Sequence, residues 1–154
     1  MSIFSHYFFS AVVSLVATMS FSVILNLPKK QIVYAGIVGM IGWIIFIILN
    51  ENFLDSVFAS FYATLGLALV ARIFSYLRKS PVTMYLIPGI FSLVPGAGIY
   101  ATGYSMFMGS TVEALTLGVE TFQIAVAIAL GMGLVLSLPN VLFYPIRRIN
   151  EKNN

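Results

Sequence analysis

Two Pro-Gly steps seven residues apart, Leu86-Ile87-Pro88-Gly89 and Leu93-Val94-Pro95-Gly96, interrupt an apolar stretch that runs from Pro81 to Met108. Each proline removes a backbone N–H and clashes with the carbonyl four residues back, and each glycine loosens the chain further. The stretch therefore predicts a helix broken over Pro88 to Gly98. Non-helical backbone at membrane depth persists only where it is packed in protein or lines a wet cavity, so a break in lipid points to a transport path. The alternative is a kinked but continuous helix whose freed backbone groups are satisfied by neighbouring helices.

That lipid is the solvent follows from composition. Of 154 residues, 60% are hydrophobic and 8% charged, and the mean hydropathy is +1.00. This leaves too little polar surface for a water-soluble domain. Five spans are expected, roughly 7–27, 32–49, 54–77, 82–108 and 118–144, with short connections and no linker or second domain. About 20 apolar residues cross a ~30 Å hydrocarbon core, so the first three spans fit single helices and the last two are longer than needed. The expected fold class is all-α, one polytopic membrane domain over residues 1–154 with its fourth span discontinuous at Pro88 to Gly98. The absence of cysteine excludes disulfides, thiolate metal sites and thiol nucleophiles.

The net charge of +3 does not indicate nucleic acid, because the basic residues sit in short clusters between apolar spans. Lys29 and Lys30 follow span one, Arg78 and Lys79 follow span three, and Arg147, Arg148 and Lys152 follow span five. The opposite loops carry Glu51, Asp55 and Glu113, with His6 near the N-terminus. The positive-inside rule then places the N-terminus outside and the C-terminus in the cytoplasm, as for a multi-pass protein of the cell (inner or plasma) membrane. Tyr7, Phe8 and Phe9 at one face and Tyr76, Phe143 and Tyr144 at the other suit an interfacial aromatic belt. Met1 to Tyr7 has no basic residue, so the first span is expected to be retained rather than cleaved as a signal peptide.

Helices associate in lipid through small residues and side-chain hydrogen bonds, and three such stripes are present. Span one carries Ser10, Ser14, Thr18, Ser22 and Asn26 at i, i+4 spacing. Span two carries Gly36, Gly39 and Gly42, and span five carries Ala125, Ala129 and Gly133 with Ala127 and Gly131 beside them. Helix packing accounts for all three. The hydroxyl stripe has a second reading as the lining of a polar path.

Charged groups within the spans are few. Arg72 lies about two turns before Arg78, where its guanidinium can snorkel to the interface or bind a carboxylate. Glu113, Thr116, Glu120 and Gln123 share one helical face. Glu120 is then either part of a solvated helix end or a substrate or proton site. Glu51 and Asp55 read as solvated groups favouring a helix N-terminus. His6 has no second histidine or cysteine with which to hold a metal. No Ser-His pair, embedded carboxylate pair or metal motif is placed for catalysis, so an enzyme is not expected, nor is a cofactor.

If the fourth span is interrupted, the backbone donors of about Gly96 to Ile99 carry a partial positive charge suited to a carboxylate. Carbonyls near Tyr85 to Ile87 suit an ammonium group or cation, and Ser92, Tyr100 and Tyr104 add hydroxyls. The candidate substrate-binding set is Pro88, Gly89, Ser92, Pro95, Gly96, Gly98, Tyr100, Arg72 and Glu120.

The doubled Leu-Ile-Pro-Gly and Leu-Val-Pro-Gly motif, with Tyr100 following, resembles the short subunit of the threonine/serine exporter family. The resemblance extends to Asn26-Leu27-Pro28, the glycines of span two, Arg72, and Ser137-Leu138-Pro139 with its basic tail. Many relatives have a shorter Ile-Pro-x-x-Pro-Gly form, so the shared element is best matched at Pro88, Pro95 and Gly96. The resemblance implies export of small carboxylated metabolites, either threonine and serine or a dicarboxylate such as succinate. It also implies a longer subunit of the same family as partner. Five sparse spans independently suggest that a complete path needs another subunit, whether that partner or a second copy. The competing role is a non-transporting membrane scaffold that stabilises a partner protein.

Overall fold

The computed structural model describes residues 3–139, and among them all regular structure is helical. The helices are α1 (Ile3–Ile24), α2 (Lys29–Asn52), α3 (Ser56–Arg78), α4 (Thr83–Ile90), α5 (Gly96–Phe107) and α6 (Thr111–Ser137). By length and composition, α1, α2, α3 and α6 are each able to cross a membrane. The fourth expected span is two short helices, α4 and α5, in keeping with the discontinuity its Pro-Gly steps predict.

Local chemistry sets the ends. Asn26 closes α1 in the left-handed region (φ 54°), which asparagine tolerates. The Leu27 N–H donates back to the Ser22 carbonyl at 3.0 Å, and Pro28 prevents continuation. Lys79 ends α3 in the same way (φ 50°). There the Ser80 N–H donates to the Ser75 carbonyl at 3.1 Å, and Pro81 follows.

The stripes explain how α1, α2 and α3 join. Ser14, Thr18 and Ser22 are buried, and a Cβ on Gly39 would collide with the Thr18 side chain. One on Gly36 would lie 2.6 Å from Met19 Cγ. The hydroxyls thus face α2 at close approach rather than a continuous polar path. Thr18 and Ser22 each donate to the carbonyl four residues back, both at 2.8 Å. Gly42 serves α3 in turn, its open side filled by Leu67.

α4 packs on α2 and α3, with α1 at its edge. Tyr85, Leu86, Pro88 and Gly89 are buried there, and an added Cβ on Gly89 would lie 3.1 Å from Val38. Tyr85 Oη donates to Gln31 Oε1 (2.6 Å) and Gln31 Nε2 donates to Ser80 Oγ (3.1 Å), tying the starts of α2 and α4 to the end of α3. Arg78 lies over the Tyr34 ring, 4.5 Å from its centroid. This end of the body carries Lys29, Lys30, Arg78 and Lys79. The other end carries Glu51, with His6 Nδ1 3.8 Å from its Oε1, and Asp55.

α6 runs beside α3 in the same direction, through Ala127, Ile128, Gly131 and Val135. A Cβ on Gly131 would lie 2.9 Å from the Phe61 carbonyl oxygen. Ala125, Ala129 and Gly133 face outward instead, so only the Ala127 and Gly131 part of that stripe packs on α3. α5 packs against α6. The helix starts at Thr111 rather than 118 and ends at Ser137. The remainder of the expected fifth span lies outside the described residues, as do Phe143, Tyr144, Arg147, Arg148 and Lys152.

Candidate functional site: the interrupted helix and its grooves

The interruption is narrower than expected and lies within the expected range. Pro88 does not break the helix; it sits inside α4, which ends at Ile90. Losing one bond shortens a two-turn helix whose packed neighbours hold it, without unwinding it. Residues 91–95 form the break. The Leu93 N–H donates to the Ile90 carbonyl at 2.8 Å and the Val94 N–H to the same carbonyl at 3.2 Å. Pro95 (φ −75°, ψ 61°) then forms an inverse γ-turn, closed by the Gly96 N–H on the Val94 carbonyl at 2.7 Å. α5 starts at Gly96 and leads away from the body onto α6.

Side chains anchor the break on its α1–α2 side. Ser92 Oγ donates to the Gly89 carbonyl at 2.7 Å and lies 3.3 Å from the Gly39 carbonyl. Ser14 Oγ donates to that same Gly39 carbonyl at 3.2 Å. Leu93 is buried beside them. One carbonyl of α2 is therefore shared by α1 and the break.

Two grooves flank it. The one bounded by α1, α2 and the break has a volume of about 320 Å³ and is lined by Phe9, Ser10, Ser14, Trp43, Phe91 and Ser92, among others. On the opposite side a groove of about 440 Å³ lies between Val94, Pro95 and Ile99 and the Thr121, Phe122 and Ala125 face of α6. The Thr121 hydroxyl there donates to the Leu117 carbonyl at 2.7 Å. A third groove, about 680 Å³, separates α3 from α6 away from the break, with Asp55, Tyr62 and Gln123 as its polar lining.

The candidate residues divide into groups. Pro88 and Gly89 are core; Ser92, Pro95 and Gly96 lie at the break; Gly98 abuts the Thr121 side chain. Tyr100 is exposed and stacks on Tyr104, centroids 6.1 Å apart. Ile99 N–H, expected as a free donor, bonds the Pro95 carbonyl at 3.0 Å. Arg72 is 7% exposed and donates to the carbonyls of Val135 and Leu138. Its guanidinium caps the carboxyl end of α6, where a cation complements both the free carbonyls and the helix dipole. The reading of Arg72 as a snorkelling group is thereby replaced.

Glu120 is exposed. Gln123, one turn further on, lines a groove with Asp55, so Glu120 lies past the start of α3. Arg72, at the carboxyl end of α6, and Glu120, in its first half, are about 22 Å apart along the helix axis and form no joint site.

Ser14, Gly39, Trp43 and Phe91 complete the site. Ser14 and Gly39 stood out only as members of stripes, and no sequence signal paired them.

An all-helical membrane protein with an anchored break in its fourth apolar segment belongs to the class of polytopic transport proteins with discontinuous helices. The comparison with protein families narrows this: the model described as Threonine/Serine exporter, ThrE, matches residues 10–138. The chain belongs to that family, a family of transporters and not of enzymes. No curated protein and no solved structure matches the chain significantly.

Proposed function

We propose that this chain is a membrane subunit of a secondary transporter that exports threonine and serine or a related small carboxylated metabolite, with the break at 91–95 as its substrate region. The observation that carries this reading is the interruption itself, flanked by grooves on both sides and anchored at Gly39. Backbone irregularity inside an apolar bundle is tolerated where it is packed in protein or lines a cavity, and in transporters discontinuous helices typically form the substrate site. Val94, Pro95 and the first turn of α5 supply the rim on the α6 side. The longer subunit of the same family is the proposed partner. The end bearing Lys29, Lys30, Arg78 and Lys79 is proposed to face the cytoplasm of the cell membrane.

Cells loaded with a threonine dipeptide or with succinate test this, expressing the chain alone and then with its longer partner. The expected result is faster threonine release when both are present, reduced at least tenfold by Gly96→Leu. A Cβ on Gly96 meets nothing within 4 Å, so the backbone there accepts a side chain, and leucine sets its bulk beside the break. Release that survives Gly96→Leu and Pro95→Ala, in a complex of unchanged abundance, would favour the scaffold role. Release of succinate but not threonine would move the substrate to the dicarboxylates.

A further inference from the structure

We propose that the groove between α1, α2 and the break is a subsite for the hydroxyl-bearing end of a short hydroxylated amino acid, recognised by the Gly39 carbonyl and the hydroxyls of Ser10, Ser14 and Ser92. The assignment rests on the break being a substrate region and specifies which side of it holds the solute.

Ser10 is the outlier of the α1 stripe. Ser14, Thr18 and Ser22 each give their proton to a carbonyl. Ser10, half-buried on the groove wall, has no hydrogen bond among the described residues. A stripe hydroxyl without a partner among the described residues, where the stripe meets a groove, is available to a solute.

The Gly39 carbonyl is loosely held. Its two side-chain donors lie at 3.2 Å (Ser14) and 3.3 Å (Ser92), the long edge of an O–H···O contact. Ser92 has one proton, and the 2.7 Å bond to Gly89 holds it better. A solute O–H or N–H can therefore take the Gly39 carbonyl at little cost, while the displaced Ser14 hydroxyl becomes a donor to the solute oxygen.

The rest of the groove sets the size and polarity of the ligand. Phe9, Trp43 and Phe91 supply apolar walls, and Phe91 is fixed by stacking on Phe21, centroids 4.5 Å apart and planes 7° apart. The volume of about 320 Å³ lies at the small end of ligand sites, which run about 300–1,000 Å³. No Lys or Arg lines it, so it suits the neutral hydroxyl end of an amino acid and leaves the carboxylate to lie outside.

The test uses the absence of native cysteine. Ser10→Cys in the full chain, reconstituted in vesicles with its longer partner, is labelled by a water-soluble maleimide. L-threonine is expected to slow labelling several-fold. L-2-aminobutyrate, the same molecule without the hydroxyl, is expected to need about tenfold more for equal protection, the worth of one neutral hydrogen bond. Thr121→Cys in the opposite groove should be unprotected.

Failure to label Ser10→Cys, labelling unaffected by threonine, equal protection by both amino acids, or protection at Thr121→Cys instead would each overturn the subsite. Lost protection with threonine export intact removes the subsite and leaves the transport reading standing. Protection without any export by the parent complex does the reverse. Should Ser10→Cys not accumulate, Ser92→Ala replaces it: thermal stabilisation by threonine is expected to fall to that by 2-aminobutyrate, and an unchanged preference overturns the assignment.

Discussion

Replacing Arg72 with methionine should cost about 3 kcal/mol or more of stability and release the end of α6 from α3. Methionine keeps the apolar stem and removes the fork, and with it the two charge-assisted bonds to Val135 and Leu138. Such bonds contribute about 1.5–3 kcal/mol each, and both acceptors would be left in an apolar setting. Lysine is expected to recover less than half of the loss, because a single ammonium cannot span two carbonyls as a planar guanidinium does. Thermal unfolding of the detergent-solubilised protein measures the effect, with proteolysis after Ser137 as a local readout. An Arg72→Met protein that melts with the parent would show that the cap contributes nothing. A variant that melts normally but fails to export would return Arg72 to the substrate.

Gly39→Ala is the second large effect expected, although it adds one methyl group. The new Cβ would occupy the space of the Thr18 side chain, whose Cβ and Cγ2 are both 2.8 Å away. Helices α1 and α2 must then separate or Thr18 must leave its rotamer, and overpacking of this kind costs about 1–3 kcal/mol. Separation would also draw Ser14 away from the Gly39 carbonyl and loosen the break. Adding Thr18→Ala should recover most of the stability, a coupling that a double-mutant cycle reads directly. If Gly39→Ala and the double variant are equally unstable, the α1–α2 contact is not the cause.

The places where sequence and structure agree are those governed by neighbouring residues. Asn26-Leu27-Pro28 and Lys79-Ser80-Pro81 end their helices through turn chemistry contained in a few positions. The i, i+4 spacing of Ser14, Thr18 and Ser22 likewise marks a single face whatever lies opposite. The break was legible as a region but not to the residue. A proline inside a short helix is tolerated where packed neighbours hold that helix, so Pro88 misled where Pro95 did not. Arg72 could not be read because its partners are more than sixty residues away, at Val135 and Leu138. Glu120 stayed open between a solvated helix end and a substrate site for a similar reason: its surroundings depend on how far α6 extends beyond the start of α3, which no neighbouring residue specifies.

The two halves of the fourth apolar segment keep different company, α4 with α2 and α3, α5 with α6. The amides of α5 are accordingly expected to open more readily than those of α4. Hydrogen exchange should then change at the γ-turn of Pro95, slow on the α4 side and faster along α5, so that a single stretch of sequence spans two rates of breathing.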